Sequence, residues 1–138
     1  MTIQLDWLRG CATALVTPFT SSGAVDERCL RELIEYQING GVRLLVPCGT
    51  TGESVTMTEE ENRLVISTAV ELARGRAKVI AGTGSNSTAV TIARSQAARE
   101  IGVDAVLTVA PYYNKPTQEG LYAHFRAIAE ALDLSHIH

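Results

Sequence analysis

The sequence predicts an α/β fold built on a parallel sheet, and three observations predict it. Four short apolar runs recur at intervals of roughly 30 residues: Ala12–Val16, Arg43–Val46, Lys78–Ala81 and Asp104–Val109. Each run is continuous rather than alternating, as suits a strand buried on both faces. A helical pattern follows every run, and strand–helix alternation at this spacing implies right-handed crossovers between parallel strands. Two architectures satisfy this order, an open doubly wound sheet and part of a (β/α)8 barrel. A full barrel takes about 250 residues. The 138 residues of this chain would be one domain, 1–138, supplying about the first four βα units.

The helices are predicted by their ends as much as by their faces. Asp26 can cap a helix with Leu30, Leu33, Ile34 and Ile38 inward, stopped by Gly40-Gly41. Thr58-Glu59-Glu60-Glu61 has the form of a capping box, ahead of Val65, Ala69, Leu72 and Ala73 and a stop at Gly75. The acidic triplet is explained by the helix N-terminus, where negative charge is favourable. Asn86 or Ser87 can cap a third helix with Val90, Ala93, Ala97 and Ile101 inward and Gly102 at its end. Thr117, after Pro116, begins a fourth with Leu121, Phe125, Ile128 and Leu132.

Composition narrows the function. Apolar residues make up 46%, charged residues 20%, and the net charge is −3. This argues against disorder and against a nucleic-acid-binding surface. No apolar run reaches the roughly 18 residues that cross a bilayer, and the first residues lack the order of a secretory signal. Cys11, Cys29 and Cys48 are odd in number and widely spaced. They read as small core residues of a cytoplasmic protein rather than as a disulfide frame or a zinc site.

In both architectures ligands bind beyond the carboxyl ends of the strands. The polar and unusual residues concentrate there, in four loops: Thr17-Pro18-Phe19, Cys48–Ser54, Gly82–Asn86 and Ala110–Pro116. In the second loop Gly49 and Gly52 would permit positive φ, letting several amides converge on a carboxylate or phosphate, with Thr50 and Thr51 adding hydroxyls. An ordinary Gly/Thr turn fits the loop as well. The Gly-Lys-Ser/Thr ending of a P-loop is missing, and Gly82-Thr83-Gly84 lacks the last glycine of a dinucleotide fingerprint. Tyr112 and Tyr113 are stiffened by Pro111 and Pro116. Adjacent Tyr residues in extended backbone point opposite ways, so one can face the site and offer a hydroxyl for proton transfer. No Gly-x-Ser-x-Gly elbow is present. His124 reads as a solvent-facing helix residue, and a metal site at His136 and His138 is not expected.

Taken together, Val16–Phe19, Gly49–Ser54, Gly82–Asn86 and Pro111–Tyr122 resemble the dihydrodipicolinate synthase family, of the N-acetylneuraminate lyase superfamily, over about residues 10 to 134. The resemblance implies a (β/α)8 barrel lyase that condenses pyruvate with aspartate semialdehyde through a lysine Schiff base, on the route to lysine and diaminopimelate. It implies no metal and no organic cofactor, because the lysine serves as the electron sink. It assigns Thr51 to the pyruvate carboxylate, and Thr50 and Tyr113 to a proton relay in which Tyr113 reaches the site of a neighbouring subunit. Self-association through the Tyr112-Tyr113 loop is therefore expected. It also places a lysine-inhibition site near Ser54, Asn86 and Tyr112. Glu59, Asn62 and Val90 stand where lysine-sensitive members carry His, His and Glu, which implies weak inhibition.

Three features depart from the family pattern. Lys78 and Lys115 are the sole lysines, and neither position matches the Schiff-base lysine of a later strand. The strand that would carry a second relay Tyr and a substrate-binding Arg is missing. The run Asp133–His138 lacks the Pro that usually follows the Asp-Leu pair, which reads as a truncation or a change of frame. A keto-deoxy sugar acid or sialic acid aldolase shares the Gly-Thr-Thr-Gly-Glu loop and is one alternative. A non-catalytic half-barrel that associates with itself is the other.

Overall fold

The computed structural model describes residues 6–132 and the backbone of residues 135–137. Its strands are β1 (Ala12–Ala14), β2 (Leu44–Val46), β3 (Lys78–Gly82), β4 (Ala105–Leu107) and β5 (Ser135–Ile137). Between them run α1 (Glu27–Asn39), α2 (Glu59–Ala73), α3 (Thr88–Ile101) and α4 (Gln118–Ala131). All neighbouring strands pair in parallel, in the sequential order β1-β2-β3-β4-β5.

That order decides between the two architectures. A doubly wound sheet reverses its strand order partway; this one never does. The helices also pack in sequence, α1 on α2, α2 on α3 and α3 on α4. Alternation along the strands separates two apolar clusters. Leu15, Leu45, Val79, Ala81 and Val106 face Leu30, Ile34, Val65, Ala69, Ala98 and Ile128 of the helices. Val46, Ile80 and Ala105 face the other way and are covered by Trp7, Leu8 and Leu107. Helices on one face of a sequentially ordered parallel sheet, with none of α1–α4 on the other, is the layering of a (β/α)8 barrel.

β5 has no counterpart among the four predicted strands. Its backbone pairs with β4 from Ala105–Ser135 to Leu107–Ile137, so β4 is paired on both sides. The departure at Asp133, Leu134 and His138 lies outside the described residues.

The helix ends follow local chemistry. The Asp26 carboxylate accepts from the Cys29 amide at 2.9 Å. Thr58 and Glu61 form the reciprocal capping box, with bonds of 3.1 and 2.8 Å. Ser87, rather than Asn86, caps α3, and Thr117 caps α4. Gly75 and Gly102 follow α2 and α3 with φ of 73° and 102°.

Three expectations fail on packing. In α3 the residues that turn inward are Thr91, Ser95 and Ala98, while Val90 and Ala93 are exposed. Hydroxyls outcompete the valine for the interior because they have partners there: Ser95 Oγ lies 2.7 Å from Thr83 Oγ1. His124 is buried, 4% exposed, because its Nδ1 meets the Thr88 hydroxyl at 2.8 Å across the α3–α4 contact. Its Nε2 is buried without a partner. Of the cysteines only Cys48 is a core residue; Cys11 is exposed ahead of an edge strand, and Cys29 is half-buried on α1.

Candidate active site

The carboxyl ends of β2, β3 and β4 surround a cavity of about 430 Å³. Cys48, Val55, Leu107, Val109 and Ala110 form its apolar wall. Gly49, Gly82 and Gly84 bring backbone to its surface, and Thr50, Ser54 and Tyr112 supply its hydroxyls. Few polar groups in an apolar hollow at this end of the strands is the usual composition of a small-molecule site.

The glycines work differently from expectation. Neither Gly49 nor Gly52 has a positive φ; the positive values belong to their flanking neighbours, Cys48 and Glu53, both at 58°. Gly52, Gly82 and Gly84 are needed for close approach, whereas a Cβ at Gly49 would meet nothing within 4 Å. A Cβ at Gly52 would lie 2.9 Å from the Leu15 carbonyl oxygen. One at Gly82 would lie 2.2 Å from the Cys48 carbonyl oxygen, and one at Gly84 2.7 Å from the Val109 amide nitrogen. The rim loops are stacked against one another at backbone distance, and Cys48 holds a left-handed conformation that costs a non-glycine residue energy.

The amide cradle is narrower than the sequence suggests. The Gly52 amide donates to the Gly49 carbonyl at 3.1 Å, and the Glu53 amide to the Thr50 carbonyl at 3.0 Å. Both are engaged inside the loop. The amides and hydroxyls of Thr50 and Thr51 make no hydrogen bond among the described residues, and both residues lie at the surface of the loop. What the loop offers an anion is therefore two adjacent amides and two hydroxyls. The base of the loop is stapled by Asn62, whose Nδ2 donates to the Ser54 and Thr58 carbonyls at 3.2 and 3.0 Å. Burial pushes the Cys48 thiol up to about 12, so it is a neutral wall of the cavity and no nucleophile at ordinary pH. Its Sγ–H points at the Asn62 carbonyl, 3.6 Å away.

The two tyrosines do diverge. Tyr112 lines the cavity and is 47% exposed, whereas Tyr113 is 95% exposed and turned away from it, with φ at 70°. Asn114 fixes the loop to its neighbour: its Nδ2 donates to the Asn86 carbonyl at 2.9 Å, and the Asn86 Nδ2 lies 3.4 Å from Asn114 Oδ1. Of the six residues singled out from the sequence, Thr50, Ser54 and Tyr112 line one cavity. Thr51, Asn86 and Tyr113 do not line it. Sequence reasoning missed Val55, Leu107 and Val109 as lining, since apolar residues at a strand end read simply as core. Neither lysine lines the cavity. Lys78 opens β3 at the opposite end of the sheet, 2.7 Å from Asp104 Oδ1. Lys115 is exposed in the tyrosine loop.

Residues 7–138 match the profile of the Dihydrodipicolinate synthetase family. The chain belongs to this family. It is 56% identical over 126 residues to the 4-hydroxy-tetrahydrodipicolinate synthase of Rhodospirillum centenum, covering 91% of this chain and 43% of that one. The synthase of Trichlorobacter lovleyi is also 56% identical, over 129 residues, with 94% and 44% covered. The chain thus spans less than half the length of these curated relatives. Among solved structures, the chloride-inhibited dihydrodipicolinate synthase of Acinetobacter baumannii in complex with pyruvate superposes with a TM-score of 0.90 at 48% identity. That match covers 92% of this chain and 44% of the other. The dihydrodipicolinate synthase of Aquifex aeolicus gives 0.89 at 49% identity, over 92% and 43%. No helix among the described residues is long and apolar enough to cross a membrane.

Proposed function

We propose that this chain carries the pyruvate-carboxylate cradle of a dihydrodipicolinate synthase-type barrel. The whole reaction condenses pyruvate with aspartate semialdehyde through a lysine Schiff base, in the cytoplasm. The observation that carries this reading is the pair of unused amides and hydroxyls at Thr50 and Thr51, on a loop whose Thr50 lines an apolar cavity. A carboxylate accepting charge-assisted bonds from such donors is held more strongly than by neutral pairs. Thr51 with its amide takes the carboxylate, and the Thr50 hydroxyl passes protons while the pyruvate carbonyl oxygen leaves as water. Tyr113 completes that relay in a second copy of the chain. Its near-complete exposure on a strained, proline-bracketed loop supports a group presented outward to a partner.

The lysine nucleophile is not one of the two in this chain. Lys78 stands at the wrong end of β3 and is ion-paired, and Lys115 lies on the exposed loop. The same facts favour a second reading, a non-catalytic half-barrel that associates with itself. Weak response to lysine is expected in either case. Glu59 is engaged by Arg94, and the Asn62 amide is committed to the loop.

Two measurements test the proposal. Titration of the 15N-labelled chain with pyruvate should shift the Thr50 and Thr51 amides saturably; a flat response there rejects the cradle. Borohydride reduction with labelled pyruvate should leave no covalent adduct on the 138 residues. A reduced adduct at Lys78 or Lys115 would overturn the account of the nucleophile.

A further inference from the structure

Thr17 follows the first strand and does not line the rim cavity, yet it is only 5% exposed. Its Oγ1 donates to the Gly52 carbonyl oxygen at 2.7 Å, across 35 residues of sequence. We infer that Thr17 is a positioning residue for the Thr50-Thr51 cradle. The inference rests on the function proposed above for that loop.

The geometry works through one peptide unit. Carbonyl and amide of a trans peptide point in opposite directions. Drawing the Gly52 carbonyl down onto Thr17 turns the Glu53 amide up, where it donates to the Thr50 carbonyl at 3.0 Å. The Gly52 amide closes the other turn bond, to the Gly49 carbonyl. Both turn bonds are thus donated by the peptide units on either side of the Gly52 Cα, and together they leave Thr50 and Thr51 as the free donors. The seat for that residue is tight. A Cβ at position 52 would lie 2.9 Å from the Leu15 carbonyl oxygen and 3.3 Å from Thr17 Oγ1 itself. Exposed turn bonds are weak alone, whereas a buried hydroxyl–carbonyl bond leaves an unsatisfied carbonyl when it is broken. Thr17 is therefore the anchor, and the turn bonds follow it.

Thr17→Val keeps the shape and removes the hydroxyl; Thr17→Ser keeps the hydroxyl and removes the methyl. Amide hydrogen exchange on the full chain separates a local anchor from general packing. In Thr17→Val the Gly52 and Glu53 amides should exchange roughly tenfold faster or more, with the α1 and α3 amides unchanged. Thr17→Ser should stay within about twofold of the parent at both. Uniform acceleration across the chain in Thr17→Val, or no acceleration at Gly52 and Glu53, overturns the inference. If Thr17→Val does not fold, Thr17→Ser still decides: loss of protection at those two amides with the hydroxyl present rejects the anchor. Pyruvate-induced shifts at Thr50 and Thr51 are read on the same samples. Their absence in the parent chain rejects the cradle, while the exchange pattern separately decides the role of Thr17.

Discussion

The two ends of this half-barrel are built from the same residue types used in opposite ways. At the amino ends of the strands, Gly41, Gly75 and Gly102 take left-handed conformations of 95°, 73° and 102° that stop helices. A Cβ at Gly41 or Gly75 would meet nothing within 4 Å. Charge is handled there by exposed pairs, Arg76 with Glu35 and Lys78 with Asp104. At the carboxyl ends Gly52, Gly82 and Gly84 have ordinary φ but no room, and the left-handed non-glycine residues are Cys48, Glu53, Tyr113 and Lys115. Polarity is handled there by buried hydroxyls: Thr17, Thr83, Ser85, Thr91 and Ser95. At Gly41, Gly75 and Gly102 glycine turns the chain; at Gly52, Gly82 and Gly84 it lets loops press together. Backbone strain and buried hydroxyls gather at the carboxyl ends of the strands, and helix stop signals gather at the amino ends.

The largest expected effect breaks that contrast at one atom. Gly82→Ala places a Cβ 2.2 Å from the Cys48 carbonyl oxygen and 2.8 Å from the Gly49 amide nitrogen. Both are backbone, so the end of β2 must move. We expect a loss of more than about 3 kcal/mol, or failure to fold, from overpacking compounded by backbone displacement. Gly75→Ala has open space and only the strain of its φ, and should cost about 1–2 kcal/mol. Chemical denaturation of the two variants measures the difference. Equal costs would remove the distinction between the two ends.

A middle-sized effect is expected from the hydroxyls. Thr83 Oγ1 and Ser95 Oγ are buried and 2.7 Å apart. Ser95→Ala leaves the Thr83 hydroxyl buried without its partner and should cost about 1–3 kcal/mol. Adding Thr83→Val removes the orphan and should recover part of that loss. The double-mutant cycle therefore returns a coupling of roughly 1 kcal/mol. Additive costs would mean that the α3 seam is held by packing alone.

That seam also shows what a sequence conceals. Strand–helix alternation, the caps at Asp26 and Thr58 and the glycine stops were legible because each is local: Asp26 bonds three residues ahead, and Thr58 and Glu61 bond each other. The inward face of α3 was not, since hydropathy places Val90 inside and cannot show that Thr83 awaits Ser95. His124 was misplaced for the same reason; its partner, Thr88, is 36 residues away. In the site, Thr50, Ser54 and Tyr112 could be found from motif and loop position. The role of Gly52, Gly82 and Gly84 could not, because a glycine that turns a chain and one that admits a neighbour look alike in sequence. β5, three residues long with no helix after it among the described residues, carried no periodic signal.

The smallest expected effect lies at the amino ends of the strands, and it separates charge from hydrogen bonding. Lys78 Nζ is 2.7 Å from Asp104 Oδ1, with the lysine side chain half exposed. Such a pair is worth about 0–1 kcal/mol and is screened by salt. Lys78→Met should therefore lower stability by less than about 1 kcal/mol in dilute buffer and by almost nothing in concentrated salt. Asp104 also holds backbone: its Oδ2 accepts from the Val79 amide at 2.9 Å, tying β3 to the turn before β4. Asp104→Ala should cost about 1 kcal/mol more than Lys78→Met, and that excess should survive salt, since it comes from an orphaned amide and not from charge. Denaturation at low and high ionic strength measures both. If Lys78→Met cost more than Ser95→Ala, exposed ion pairs would be structural anchors here, and the contrast between the two ends of the sheet would fail.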